Sequence, residues 1–150
     1  MFEPVSLNSI LHDFDVTNGF TKYMWGSKPK PSNSKPLDSD CSGWTRWTLL
    51  RAGMPKEFPD GSIAQGEWLI AQGLHQPTYP DILTFAKHDS GRLFCAGFNS
   101  GGTHRHIWFV IAAQTYECAV GTHGVGTRHA EIFAPEVLLD GWCVEIPVNL

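Results

Sequence analysis

Cys41 is the residue whose surroundings best suit nucleophilic chemistry. It lies in the small, polar run SDCSG, whereas the three other cysteines lie in apolar runs, where a free thiol behaves as a small hydrophobic side chain: Cys95, Cys118 and Cys143. Thiolate is the attacking form of cysteine, and a free thiol with a pKa near roughly 8.5 is mostly protonated at neutral pH. A helix N-terminus and a neighbouring imidazolium both favour the thiolate. We therefore predict that Cys41 is a nucleophile and that the other three cysteines are structural.

His106 is the best candidate among the seven histidines for the base that would serve Cys41. It begins the apolar run HIWFVI directly after the glycine-rich stretch SGGTHR, which contains His104. A side chain at the start of a strand can face a cleft at the edge of the sheet. A strand histidine taken alone is more often structural than catalytic, so pairing Cys41 with His106 requires support from the rest of the sequence.

The local pattern around Cys41 predicts a helix that holds the thiol at its first position. Residues 42–52 have helical spacing, Asp40 can cap the N-terminus, and Gly53 suits the C-terminal end. Ser42 and Gly43 leave room for a substrate carbonyl at the helix end. Backbone N–H groups there can hold a developing oxyanion.

The wider pattern predicts one α+β domain over residues 1–150, with N-terminal helices packed on a mainly antiparallel sheet. Further helices are predicted at 4–15 and 62–73, and strands at 92–98, 106–112, 116–120 and 142–148. Residues 79–87 fit either a helical turn or a short strand. Residues 27–39, rich in Pro, Ser and Lys, predict an exposed loop directly before the nucleophile.

Charge and composition exclude several classes of partner. With a net charge of -4, the chain has no excess of positive charge that would attract nucleic acid or an anionic membrane surface. No apolar run approaches the roughly 20 residues that span a bilayer. Residues 1–15 lack the basic start and apolar centre of a secretory signal, so we expect synthesis in the cytoplasm without a leader.

We expect neither a metal nor a cofactor, because thiol–imidazole chemistry needs none. The sequence contains no CxxC pair and no HExxH motif. A metal-dependent alternative would have to use His104, His106, His123 and a cysteine, without the ligand spacing typical of zinc sites.

Three segments together resemble the NlpC-type family of cell-wall cysteine peptidases, over about residues 19–128. YMWG (from Tyr23) and DCSGW (from Asp40) resemble the Y-x-W-G … D-C-S-G-[FW] signature of that family. GRLFCAGFNSGGTHRHIWFVI (91–111) is similar to its G-D-L-V-F-F … H-V-G-I-Y segment and aligns His106 with the catalytic histidine. TYECAVGTHGVG (115–126) resembles the strand that supplies a third polar residue, followed by a Gly-Val turn.

The resemblance implies a papain-like fold and hydrolysis of an amide bond in peptidoglycan stem peptides, typically next to D-glutamate. Cys41 would attack, His106 would take and return the proton, and Tyr23 would support the oxyanion. The expected partner is peptidoglycan or a muropeptide, reached after phage-type release or injection. Trp25 and Trp44 are expected in the core. The same machinery acting on another amide or acyl substrate (as a deamidase or acyltransferase) and an inactive binding module remain alternatives.

The chain departs from the family pattern at three places. Arg92 replaces an acidic residue before the first strand, and the loop between Gly26 and Asp40 is longer than usual. The turn after the histidine strand is one residue shorter, which bears on the choice of the third residue.

For that third residue we predict Glu117, with His123 as the alternative. Side chains alternate between the two faces of a sheet along each strand. The length of the connecting loop therefore decides which residues of the next strand share the face of His106. An even loop gives Glu117, and an odd loop gives Cys118, a poor acceptor. Because residues 112–115 contain neither Gly nor Asn, we predict a four-residue loop on a type I turn instead of a two-residue primed turn.

Overall fold

The computed structural model describes residues 2–99 and 105–150. Its elements, in chain order, are β1 (Val5–Ser6), α1 (Leu7–Thr17), β2 (Lys22–Tyr23), β3 (Asp38–Ser39), α2 (Cys41–Arg51), α3 (Ser62–Ala71), α4 (Tyr79–Thr84), β4 (Leu93–Phe98), β5 (His106–Ile111), β6 (Gln114–Ala119), β7 (Gly124–Gly126), a 3₁₀ helix (Ala130–Phe133), α5 (Ala134–Asp140), β8 (Gly141–Ile146) and β9 (Val148–Asn149). Within these residues, no helix is long and apolar enough to cross a membrane.

The main sheet has five strands in the order β7-β6-β5-β4-β8, and every neighbouring pair is antiparallel. Two short parallel ladders, β1 with β9 and β2 with β3, lie outside it. The prediction of an α+β fold with a mainly antiparallel sheet is therefore confirmed. The predicted strands all form, with bounds that differ by one or two residues.

Both faces of the sheet are covered, because its strands carry apolar side chains in both directions. On one face Phe109 meets Trp44 of α2 edge-on, with ring centroids 5.9 Å apart. On the other face Trp108 packs with Tyr79 of α4, and Val137 of α5 belongs to the same cluster. The helices therefore form two layers with the sheet between them.

Several helices differ from their predicted limits for local reasons. The first begins at Leu7 and not at residue 4, because Val5 and Ser6 pair with β9 and Ser6 caps the helix by accepting from the Ser9 N–H. Residues 79–84 form a helix, capped by Thr78, which resolves the ambiguity at that segment. Helix α5 was not predicted, since only Val137 among its residues is buried.

The turn between β5 and β6 corrects the predicted loop. Ile111 pairs with Gln114, so the loop is Ala112–Ala113 alone. Both alanines have positive φ, 50° and 63°, as a type I′ turn requires. The four-residue loop over 112–115 is therefore wrong: the strand pairing determines the turn, and the alanines adopt a backbone conformation that costs each of them energy.

This turn gives a stability prediction. Replacing Ala113 by glycine is expected to raise the free energy of unfolding by roughly 0.5 to 1 kcal/mol, because glycine has no Cβ penalty at positive φ. Thermal and urea unfolding would measure it. The matched control is Ala64→Gly in the exposed first turns of α3, where glycine should destabilise by about 1 kcal/mol. A loss of stability in Ala113→Gly similar to that of the control would contradict the prediction.

Candidate active site

A short parallel ladder brings the two motif segments of the N-terminal half together. Lys22 pairs with Asp38 and Tyr23 with Ser39, and the Met24 N–H donates to the Ser39 carbonyl at 2.9 Å. The intervening loop is closed at its base by this ladder. Tyr23 is thereby placed beside the start of α2, where Cys41 lies.

Asp40 caps α2 as predicted and holds the neighbouring loop to it. Its Oδ1 accepts from the Gly43 N–H at 2.7 Å, and its Oδ2 accepts from the Gly26 N–H at 3.2 Å. The Lys28 ammonium donates to the same Oδ2 at 2.6 Å and to the Ser42 hydroxyl at 2.8 Å. A Cβ on Gly43 would lie 2.5 Å from the Ser27 carbonyl oxygen, so this close approach requires glycine.

Cys41 is the first residue of α2 and is half-buried, whereas Cys95, Cys118 and Cys143 are buried. All four are free thiols. In the first turn of the helix, Asp40 accepts the N–H groups of Gly43 and Trp44. The N–H groups of Cys41 and Ser42 precede these and have no partner within a helix, so they can serve an oxyanion beside the thiol.

His106 begins β5 and is hydrogen-bonded to Glu117 on the adjacent strand. Thr115 lies opposite Val110, which places Glu117, two residues further on, on the face that His106 shares with Val110. The His106 Nε2–H donates to Glu117 Oε1 at 2.8 Å. Nδ1 is thereby left for the thiol. This is the hydrogen bond predicted for Glu117, reached through an even loop of two residues.

His123, the alternative third residue, lies elsewhere. It occupies the turn between β6 and β7, is exposed, and has a left-handed backbone with φ of 56°. The predicted Gly-Val turn that follows it is the short strand β7.

Glu117 is completely buried and accepts hydrogen bonds from two further side chains. Arg128 donates to Oε1 through Nη2 at 2.6 Å and to Oε2 through Nε at 3.1 Å, and Thr115 donates to Oε2. Burial raises the pKa of this carboxyl, but hydrogen bonds from His106, Arg128 and Thr115 outweigh it and lower the pKa from 4.5 to about 2. Glu117 is therefore a carboxylate at neutral pH.

Sequence reasoning missed both Arg128 and Thr115. Thr115 lies two residues before Glu117 on the same strand and therefore on the same sheet face, a signal that could have identified it as a neighbour of the carboxylate. Arg128 lies beyond the β6–β7 connection, and no spacing rule connects it to Glu117.

Aromatic side chains pack against the His106 ring. Its ring stacks on Trp108, with centroids 5.2 Å apart, and lies 5.3 Å from the Phe133 ring. Burial lowers the pKa of His106, but hydrogen bonds with Cys41 and Glu117 and the charges of these two groups outweigh it, so the pKa is raised. Cys41 and His106 also line the same cavity, which places the thiol and the imidazole on one cleft.

Tyr23 lines the cavity beside Cys41. Burial raises the pKa of its phenol, and the charges of Cys41, Asp40 and Cys118 add to the increase. The hydroxyl is therefore protonated at neutral pH and able to donate a hydrogen bond.

The cleft around Cys41 consists of two adjoining cavities, of about 360 and 220 Å³, which share Tyr23, Cys41 and Arg105. Lys28 lines the larger one and Arg128 the smaller, so the described walls carry three cationic side chains. Trp25 also lines the larger cavity and is 84% exposed. The expected core position of Trp25 is wrong, whereas Trp44 is fully buried as expected.

Among residues 2–99 and 105–150, no three histidines, cysteines or acidic residues are grouped so that they could hold a metal ion. His104, one of the ligands in the metal-dependent alternative, lies outside the described residues.

No protein-family model matches the chain, and a search of curated protein sequences gives no match.

Proposed function

We propose that the protein is a cysteine hydrolase with a papain-like arrangement, which cleaves an amide bond in peptidoglycan stem peptides. The observation that carries the proposal is the hydrogen bond from His106 to the buried Glu117 carboxylate, in a cavity that His106 shares with Cys41. A cysteine at a helix N-terminus, a histidine within reach and an acceptor on the far ring nitrogen form the constellation used in nucleophilic acyl transfer.

In the proposed reaction, His106 accepts the thiol proton and the Cys41 sulfur attacks the carbonyl carbon. The oxyanion is held by the first-turn N–H groups and the Tyr23 hydroxyl. His106 then returns the proton to the leaving nitrogen as the C–N bond breaks, which leaves a thioester on Cys41. Water, deprotonated by His106, attacks this thioester and releases the acid and the free thiol.

The choice of substrate rests on the resemblance of three sequence segments to the NlpC-type family. The cleft is consistent with it, because both cavities open on Cys41 and can accept chain on either side of the scissile bond. Stem peptides carry free carboxylates, and Arg105 provides positive charge on the described walls, where Lys28 and Arg128 are paired with Asp40 and Glu117.

Digestion of purified peptidoglycan, with mass analysis of the soluble products, tests this function. We expect new peptide ends from one type of amide bond, and none with the Cys41→Ala protein at the same concentration. Intact peptidoglycan together with turnover of a simple amide or ester would support the alternative amide or acyl substrate. Binding to peptidoglycan without turnover of any substrate would indicate an inactive binding module.

A further inference from the structure

Arg128 makes polar contacts to the candidate site that the proposed chemistry does not use. Its guanidinium binds both carboxylate oxygens of Glu117, and one of these, Oε1, also accepts from His106. The carboxylate thus lies between two groups, one permanently charged and one that gains charge on protonation. We propose that Arg128 is a positioning residue, which fixes Glu117 and sets the pH at which the His106–Glu117 pair takes up a proton.

Arg128 is itself held by contacts on three sides. Its backbone N–H donates to the Thr115 hydroxyl at 2.8 Å, and its carbonyl accepts from the Thr115 N–H at 2.8 Å. The guanidinium carbon lies 4.9 Å from the centre of the Phe133 ring. On the outer side, a Cβ added to Gly121 would meet Arg128 Nη1, so the absence of a side chain there makes room for the guanidinium. The geometry is over-determined, as expected for a group that positions another.

The charge of Arg128 has a consequence for His106. A buried carboxylate that faced only an imidazole would strongly favour the imidazolium, and the base would then be protonated over most of the neutral range. A guanidinium on the same carboxylate opposes this, because it repels a second positive charge and shares the carboxylate oxygens. Arg128 therefore keeps Glu117 ionised and still leaves His106 able to lose its proton.

The other groups around His106 do not duplicate this effect. Cys41 faces it from the start of α2, and Tyr23 and Arg105 line the same cavity. Arg105 is exposed, so water screens its charge. Among residues 2–99 and 105–150, the aromatic rings of Phe98, Trp108 and Phe133 also pack near it.

The test is the titration of His106 followed by NMR in a Cys41→Ala background, with the ring signals assigned by comparison with a His106→Gln protein. In Arg128→Gln, the pH midpoint is expected to rise by at least about one unit, because a cation beside the pair is removed. Arg128→Lys keeps a positive charge beside Glu117, although lysine cannot reproduce the paired contact of the guanidinium, so the midpoint should stay within about half a unit of the reference. Arg105→Gln is the matched control for loss of an exposed cation and should change the midpoint by less than about 0.3 units.

Gly121→Ala provides a second variant that leaves the arginine in place. The added methyl displaces only the tip of a flexible side chain, so the fold should persist while the bonds to Glu117 weaken. We expect a smaller rise of the same midpoint. If Arg128→Gln fails to fold, a rise in Gly121→Ala with none in Arg128→Lys still supports the proposal.

The proposal would be overturned by equal midpoints in Arg128→Gln and the reference, or by equal shifts in the Gln and Lys variants. If Arg128→Gln does not fold, the absence of a shift in Gly121→Ala would overturn it. The inference depends on the proposed function only for its effect on turnover. Because the titration uses no substrate, it gives an answer even if peptidoglycan digestion fails.

Discussion

Replacement of Cys41 by alanine is expected to abolish turnover while leaving the protein folded. In the proposed reaction the thiol supplies the bond-forming electron pair, and no other described side chain at the site can replace it. Removing a nucleophile of this kind typically lowers kcat by about 10⁴-fold or more. The free energy of unfolding should change by less than about 1 kcal/mol, because the thiol is half-buried and the Asp40 cap is unaffected. Initial rates and thermal unfolding of the purified variant would measure the two effects.

The other cysteines provide matched controls for this variant. Cys95→Ala and Cys143→Ala should each lose roughly 1 kcal/mol of stability from the space left in the core and retain turnover. In the native protein, iodoacetamide should modify Cys41 first, since burial raises the pKa of the Cys95, Cys118 and Cys143 thiols. Activity lost through earlier labelling of another cysteine would remove Cys41 from its assigned role.

Replacement of Glu117 by glutamine is expected to lower turnover by at least about tenfold, or roughly 1.4 kcal/mol of barrier. The imidazole of His106 loses the charged acceptor on Nε2 that fixes its tautomer, and Arg128 loses its counter-ion. Steady-state kinetics over a range of pH would measure the loss. Glu117→Ala removes the acceptor altogether and should lower turnover at least as much.

The stability of the same variant should depend on pH in a defined direction. The pKa of Glu117 is lowered on folding, from 4.5 to about 2. Its charge therefore stabilises the folded state above about pH 4.5, and this contribution is lost as the pH falls toward 2. At neutral pH it amounts to roughly 3 kcal/mol. The difference in unfolding free energy between wild type and Glu117→Gln should accordingly be greatest near neutrality and shrink in acid.

His123→Ala is the control for both Glu117 variants. His123 is exposed in the turn before β7, so its removal should leave turnover and its pH dependence unchanged. Full activity in Glu117→Ala, with an unaltered pH profile, would refute the role assigned to Glu117. A large loss in His123→Ala would point to a different partner for His106 during turnover.

Features set by neighbouring residues could be predicted from the sequence. Asp40 followed by a helical pattern defined the start of α2, because capping involves only the first turn. Glu117 could be chosen because the sheet face of a residue on the return strand depends only on whether the loop has an even or an odd number of residues. The observed loop has two residues and the predicted loop had four, so both place Glu117 on the face of His106.

Features set by distant contacts could not be predicted. The positive φ of Ala112 and Ala113 is imposed by strand pairing, in opposition to the local preference of alanine. Arg128 reaches Glu117 only because β7 turns the chain back along β6. Trp25 has the large apolar side chain of a core residue, yet it lines the cleft and is exposed. It directly follows the β2–β3 ladder, a contact between segments that are distant in the sequence.

The two-sided packing of the sheet has a consequence for how the site is assembled during folding. His106 and Glu117 belong to one hairpin with a two-residue turn, so their contact spans few residues and can form early. Cys41 is brought to them by α2, which packs on the opposite face of the sheet from the ring of Trp108. Its approach requires closure of a long chain segment and docking of a whole helical layer. The proposed activity therefore requires docking of this layer, and we expect a chain with native secondary structure but an undocked helical layer to lack it.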